Sequence, residues 1–301
     1  MDTFSKKIFY LKESVQKNGK CKMKIFDLEK KRLYSQPILL RIITSLEGMS
    51  QLSDNKSLYL CGSTNSKPGK SSSSIGSYLF RYDLNDKFSK PICLVNSAYS
   101  HYEPLMIMVE NNILLVIGGK NQVFCEKYSI SLANWRKVSL LPEERYKGSL
   151  LLNYKDSHLY LFGSITNGSV NNSILKLNLR SIGGWDKFFL ASGLDYLLRR
   201  HSCISFTFGG EKDNIFICGG EVDSNIGNDF IVEFDPVKVK IRKLFLKSPL
   251  VLSCFSNHSI VEFEGKSYAF CDIEDKIYII EKKNFKITVI DTKSIGVNSD
   301  L

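Results

Sequence analysis

Short, nearly continuous apolar runs ending in small residues recur along the chain: SLYLCGS (57–63), ILLVIGG (113–119), HLYLFGS (158–164), NIFICGG (214–220) and SYAFCD (267–272). Runs this short, rich in β-branched and aromatic residues and bounded by Gly, Asn or Asp, predict strands buried on both faces. Downstream of each comes a second strand ending in an apolar residue followed by a polar one: Phe26-Asp27, Tyr82-Asp83, Tyr128-Ser129, Leu177-Asn178, Phe234-Asp235 and Ile280-Glu281, spaced by 46 to 57 residues. Another large apolar side chain follows six to eight residues later, at Leu33, Phe88, Trp135, Trp185, Ile241 and Ile287. The polar residues between predict a hairpin turn that returns the chain as an outer strand. Apolar stretches upstream of the small-residue element (PLMIMV, GSLLLNY, SCISFTF, HSIVEF) supply a first strand. No long amphipathic helix is expected, and LDYLLRRHS (194–202) is short enough to be one turn in a loop.

Six units of this kind, each unable to bury its own apolar faces, predict a radial repeat with a core shared between neighbours. The expected fold is all-β, a six-bladed β-propeller of four-stranded antiparallel blades. One domain is expected over 1–301, with approximate blades 1–40, 41–95, 96–141, 142–190, 191–247 and 248–301. The seam is expected at the first unit, where few residues precede IFYL; that blade is expected to be incomplete or poorly closed, and the terminal blades should be the least stable.

The third unit carries Gly118, Gly119, Tyr128 and Trp135: a glycine pair, then Tyr, then Trp seven residues on. That pattern resembles the kelch repeat. The fifth unit keeps Gly219 and Gly220 with Phe234 and Ile241, the second has Gly62 and Tyr82, and the fourth has Gly163 and Trp185. The sixth has Cys271-Asp272, and the first only IFYLKES followed by Phe26 and Leu33. No GH or WD signature favours another propeller type. The second glycine looks replaceable by Ser or Asp at little cost where the turn tolerates it. The resemblance implies a binding scaffold whose loops entering each first strand face a central channel and grip acidic peptides. The entry pattern is matched by LPEERYKGS, with Arg145, and by LLRRHS, with Arg200 and His201. By position in the repeat, His101 with Tyr102, and Asn257 with His258, fall on equivalent loops.

Composition narrows the function. Apolar residues form 43% and charged residues 24% of the chain, as in folded soluble proteins. No apolar run is long enough to span a bilayer, so a soluble, cytoplasmic protein is expected. The eight cysteines are scattered without a CxxC pair or zinc-ligand spacing, which predicts reduced structural thiols and no metal. Four histidines fall in four different units, and no GxSxG, GxxxxGK[ST] or HExxH occurs. No catalytic residue, enzyme activity or cofactor is expected.

The long Ser-rich segment STNSKPGKSSSSIGS (63–77) is flexible by composition. A formal charge of +10 favours acidic partners, but the lysines are spread along the sequence without forming a block. The reading is therefore a non-enzymatic protein–protein interaction scaffold binding another protein. Its alternatives are a basic surface for nucleic acid or anionic lipid, and a propeller-class enzyme.

Overall fold

The computed structural model describes residues 7–11, 20–30, 32–39, 48–53, 56–63, 76–84, 90–110, 112–153, 156–171, 173–181, 183–189, 203–207, 214–219, 221–223, 226–227, 230–245, 261–263, 266–271, 276–281 and 286–291. All described elements are β-strands, in a propeller arrangement of small antiparallel sheets. The N-terminal sheet has three strands: β1 (Lys7–Leu11), β2 (Lys20–Asp27) and β3 (Arg32–Leu39).

Five four-stranded blades follow. Blade I holds β4 (Met49–Ser53), β5 (Ser57–Gly62), β6 (Tyr78–Asp83) and β7 (Ile92–Cys93). Blade II holds β8 (Leu105–Val109), β9 (Ile113–Ile117), β10 (Cys125–Ser129) and β11 (Asn134–Lys137). Blade III pairs β12 (Ser149–Asn153), β13 (His158–Phe162), β16 (Ile174–Asn178) and β17 (Asp186–Phe188), around a hairpin of β14 (Ile165–Thr166) and β15 (Ser169–Val170). Blade IV pairs β18 (Cys203–Thr207), β19 (Ile215–Gly219), β22 (Phe230–Asp235) and β23 (Lys240–Phe245), with β20 (Glu221–Asp223) and β21 (Ile226–Gly227) as a side hairpin. Blade V holds β24 (Val261–Phe263), β25 (Lys266–Cys271), β26 (Lys276–Glu281) and β27 (Lys286–Asp291).

The blade count is therefore five, which corrects the expectation of six four-stranded blades. The register shows why. Ile8 lies opposite Phe26 as Leu114 lies opposite Tyr128, so β1 occupies the second strand position of its sheet. No strand among the described residues fills the first position there, the place of β4, β8, β12, β18 and β24 in the blades.

The spacing of the apolar pairs also finds its cause in register. Phe26–Leu33, Tyr128–Trp135, Phe234–Ile241 and Ile280–Ile287 are directly opposed across the last two strands of their sheets. The polar residue after the aromatic caps the turn. Asp27 Oδ1 accepts from the amides of Glu29 and Lys30, and Asp235 Oδ1 from those of Val237 and Lys238, at 2.9–3.1 Å. In the second unit Phe88 lies outside the described residues, and the outer strand falls at Ile92–Cys93 instead. The 194–202 segment and most of 63–77 also lie outside them.

Packing lies between sheets. Met23 and Ile25 meet Leu58, Leu60 and Phe80 of blade I, while Phe26, Leu28 and Leu33 meet Tyr268 and Ile277 of blade V. Blades I and II join through Tyr59, Leu79, Leu114 and Tyr128, blades II and III through Leu115, Leu159 and Leu175, and blades III and IV through Tyr160, Phe162, Ile217 and Phe234. The first strands neighbour one another, β4 beside β8, β8 beside β12 and β12 beside β18, so they form the inner circle. No helix of the described residues is long and apolar enough to cross a membrane.

Candidate functional site

His101 and Arg145 each stand four residues ahead of a first strand, β8 and β12 respectively. Both are fully buried. The His101 ring donates from Nδ1 to the Gly118 carbonyl at 2.6 Å, and its Nε2 lies 3.0 Å from Glu126 Oε2. Glu126, also buried, accepts from the amides of Ala98 and Tyr99, so one carboxylate holds the whole entry loop of blade II. Ser77 of blade I completes the anchorage: its Oγ accepts from the His101 amide at 2.5 Å and donates to the His101 carbonyl at 3.1 Å. Tyr102, 9% exposed, lays its ring where a side chain at Gly48 would stand, and its carbonyl accepts from Lys120 N at 2.7 Å.

Arg145 has its fork occupied from within. Nη1 donates to Ser164 Oγ at 2.8 Å, and Nη2 donates to Ser173 Oγ and to Glu143 Oε1, each at 2.5 Å. Its carbonyl accepts from Gly119 N of blade II at 2.9 Å. Glu143 Oε1 also receives Asn171 Nδ2 at 2.8 Å and Lys187 Nζ at 2.7 Å, and Asn171 in turn receives the Ser173 hydroxyl. Burial acts to raise the Glu143 carboxyl, but the hydrogen bonds from Lys187 and Asn171 and the charge of Arg145 outweigh it and hold it below its ordinary value. Burial lowers Arg145, against which Glu143 acts.

The glycine motif shows its physical basis here. Gly118 and Gly119 adopt φ of 56° and 124°, and Gly163 and Ser164 adopt 59° and 120°. A side chain at Gly119 would meet the Tyr102 carbonyl at 2.7 Å. Ser164 takes the same left-handed backbone with a side chain attached, a conformation that is costly for a non-glycine residue. The serine is accommodated at this turn because its hydroxyl accepts from Arg145, an offset that depends on that one partner.

Of the sequence-predicted site residues, the structure brings His101, Tyr102 and Arg145 to neighbouring entry loops and turns them inward to their own and adjacent blades. Arg200, His201, Asn257 and His258 lie outside the described residues, as does Gly220 of the motif. Tyr128 and Trp135 pack with ring centroids 5.0 Å apart, and Trp135 Nε1 reaches the Val95 carbonyl of the neighbouring blade at 2.6 Å. Trp185 Nε1 makes the corresponding bond to the Ser139 carbonyl at 3.2 Å.

Sequence reasoning missed Glu126, Glu143, Ser173 and Asn171. The available signal was position: Glu126 lies two residues before Tyr128 on the same strand face, and Ser164 replaces the second glycine opposite the only blade entry with an arginine at that position among the described residues. Among the described residues no group of three or more His, Cys, Asp or Glu side chains is placed to hold a metal ion. Cys61 and Cys125 are buried thiols, with burial pushing Cys125 up to about 12 and raising Cys61 further, while Cys93 is exposed.

These features define a β-propeller whose described entry loops serve to fasten blade to blade. No family model matches the chain, and no curated protein matches it.

Proposed function

We propose that the protein is a kelch-type propeller over 1–301 acting as a non-enzymatic protein-binding scaffold. The observation that carries the kelch reading is the left-handed pair Gly118-Gly119 at the end of β9, followed by the cross-strand pair Tyr128–Trp135, with the same backbone repeated at Gly163-Ser164. A ring stiffened by such packing suits loops that present fixed side chains to a partner. With His101 and Arg145 turned inward, the loop-face contact on this reading falls to Arg200, His201, Asn257 and His258.

The test is affinity purification of the native protein beside Arg200→Ala/His201→Ala. Loss of a stoichiometric partner, with an unchanged melting temperature, supports a scaffold that uses the loop face. Retention of every partner refutes that surface.

A further inference from the structure

Charge is sorted by radius in this molecule. The innermost strands β4, β8, β12, β18 and β24 hold no Lys or Arg and one carboxylate, Glu262. The outermost strands hold eight Lys and Arg against Asp186 and Asp291: three on β23, two on β11, and one each on β3, β17 and β27. The large apolar side chains that are exposed among the described residues follow the same circle, each lying on or within three residues of an outer strand. The most exposed are Phe189 at 76%, directly after β17, and Val237 at 84%, in the turn leading to β23. Val239 of that turn adopts φ of 53°, a costly conformation for a β-branched residue.

We propose that the outer circumference, centred on β23 of blade IV, is a docking surface for an acidic segment of a partner protein that adds along β23 as an extended strand. β23 ends the strand order of its sheet, so its outward backbone groups have no strand partner among the described residues. Lysines on an open edge repel a second copy of the same edge, and for the same reason admit a strand bearing carboxylates. Lys240 and Arg242 stand at alternate positions on one side of the strand, the Arg242 side chain 70% exposed while its Nη2 holds Glu233 at 2.5 Å. Next to these cations lie Val237 and Val239. A segment alternating Asp or Glu with aliphatic residues matches both features and the backbone edge. Single-stranded nucleic acid would call for exposed aromatic faces to stack on; the exposed apolar groups in the turn leading to β23 are valines, and the exposed Phe189 lies beside β17 with Lys187 over its ring. This surface is separate from the entry loops proposed above, so the two readings fail independently.

The test uses the full chain and a synthetic peptide alternating Glu and Val, against its Lys-for-Glu counterpart, a single-stranded oligouridine and phosphatidylserine vesicles. The expected result is binding of the acidic peptide alone, with slowed amide hydrogen exchange at alternate residues of Lys240–Phe245. Lys240→Glu is expected to weaken binding about tenfold, and Arg200→Ala/His201→Ala to leave it unchanged. If the charge-reversed chain does not fold, Lys240→Ser carries the same expectation with a smaller loss. Unchanged affinity in the folded rim variant, no protection at β23, or tighter binding of the oligonucleotide or vesicles overturns the proposal.

Discussion

Arg145 and Ser164 form a pair in which the effect of replacing the serine should depend on whether the arginine is present. Arg145→Ala removes the charge-assisted bonds to Ser164, Ser173 and Glu143 from a side chain with no solvent exposure. Glu143 is 26% exposed at its side chain and keeps Lys187 and Asn171, so its stranding costs less than that of a fully buried partner. The expected loss is about 3 kcal/mol, the lower end for breaking a buried pair. Ser164→Gly in the parent chain relieves about 1–2 kcal/mol of left-handed strain and loses a bond of about 1.5 kcal/mol to the guanidinium, so the two nearly cancel. In the Arg145→Ala background the bond is already gone and only the relief remains. Ser164→Gly should then stabilise by about 1–2 kcal/mol, with a coupling energy of about 1.5 kcal/mol across the cycle. Urea unfolding followed by circular dichroism on all four chains measures this directly. An additive cycle, or destabilisation by Ser164→Gly in both backgrounds, refutes the view that the arginine offsets the strained serine.

Four further outcomes follow from the geometry. His101→Ala leaves the buried Glu126 carboxylate without its imidazole partner and should lower stability by about 2–4 kcal/mol in the same assay, with Glu126→Gln recovering part of the loss. Val239→Gly should raise stability by about 1 kcal/mol, since glycine takes φ of 53° freely; no gain on chemical denaturation would contradict the strain. Among Cys61, Cys93 and Cys125, only Cys93 should react with a thiol reagent at neutral pH before unfolding, read by mass spectrometry of the labelled peptides. Tyr146 is raised by burial and then by Glu144 and Glu103, so the folded chain keeps this proton after the unfolded chain has lost it. Stability should fall as pH rises above about 10, and Tyr146→Phe should flatten that fall in pH-dependent melting.

The repeat was legible because its cause is local. A pair of residues seven apart, as in Phe26–Leu33 or Tyr128–Trp135, is what a four-residue turn between directly opposed strand positions imposes, and composition cannot hide it. The number of blades was legible only in part: IFYLKES stands where the other units carry their small-residue element and few residues precede it, which points to an incomplete first unit, while the pairing of Ile8 with Phe26 is what shows the second position of that sheet filled and the first not filled among the described residues. The small hairpins β14–β15 and β20–β21 escaped as well, being two or three residues long and too short for periodicity to register.

The entry-loop residues show where residue type alone misleads. An arginine after a proline and two glutamates reads as an open fork, yet whether a fork is open depends on what occupies the next strand end, and Ser164 and Ser173 lie 19 and 28 residues further along. The lysines are spread along the sequence without forming a block, but spacing in sequence does not give their radius in the molecule. In a radial repeat the corresponding strand of each unit returns to the same radius, so cations at Arg136, Lys187 and Lys240, about fifty residues apart, stand on the outer strands of successive blades. The outermost described strands are cationic, and a search for partners of this protein has a physical starting point there as much as in the channel loops.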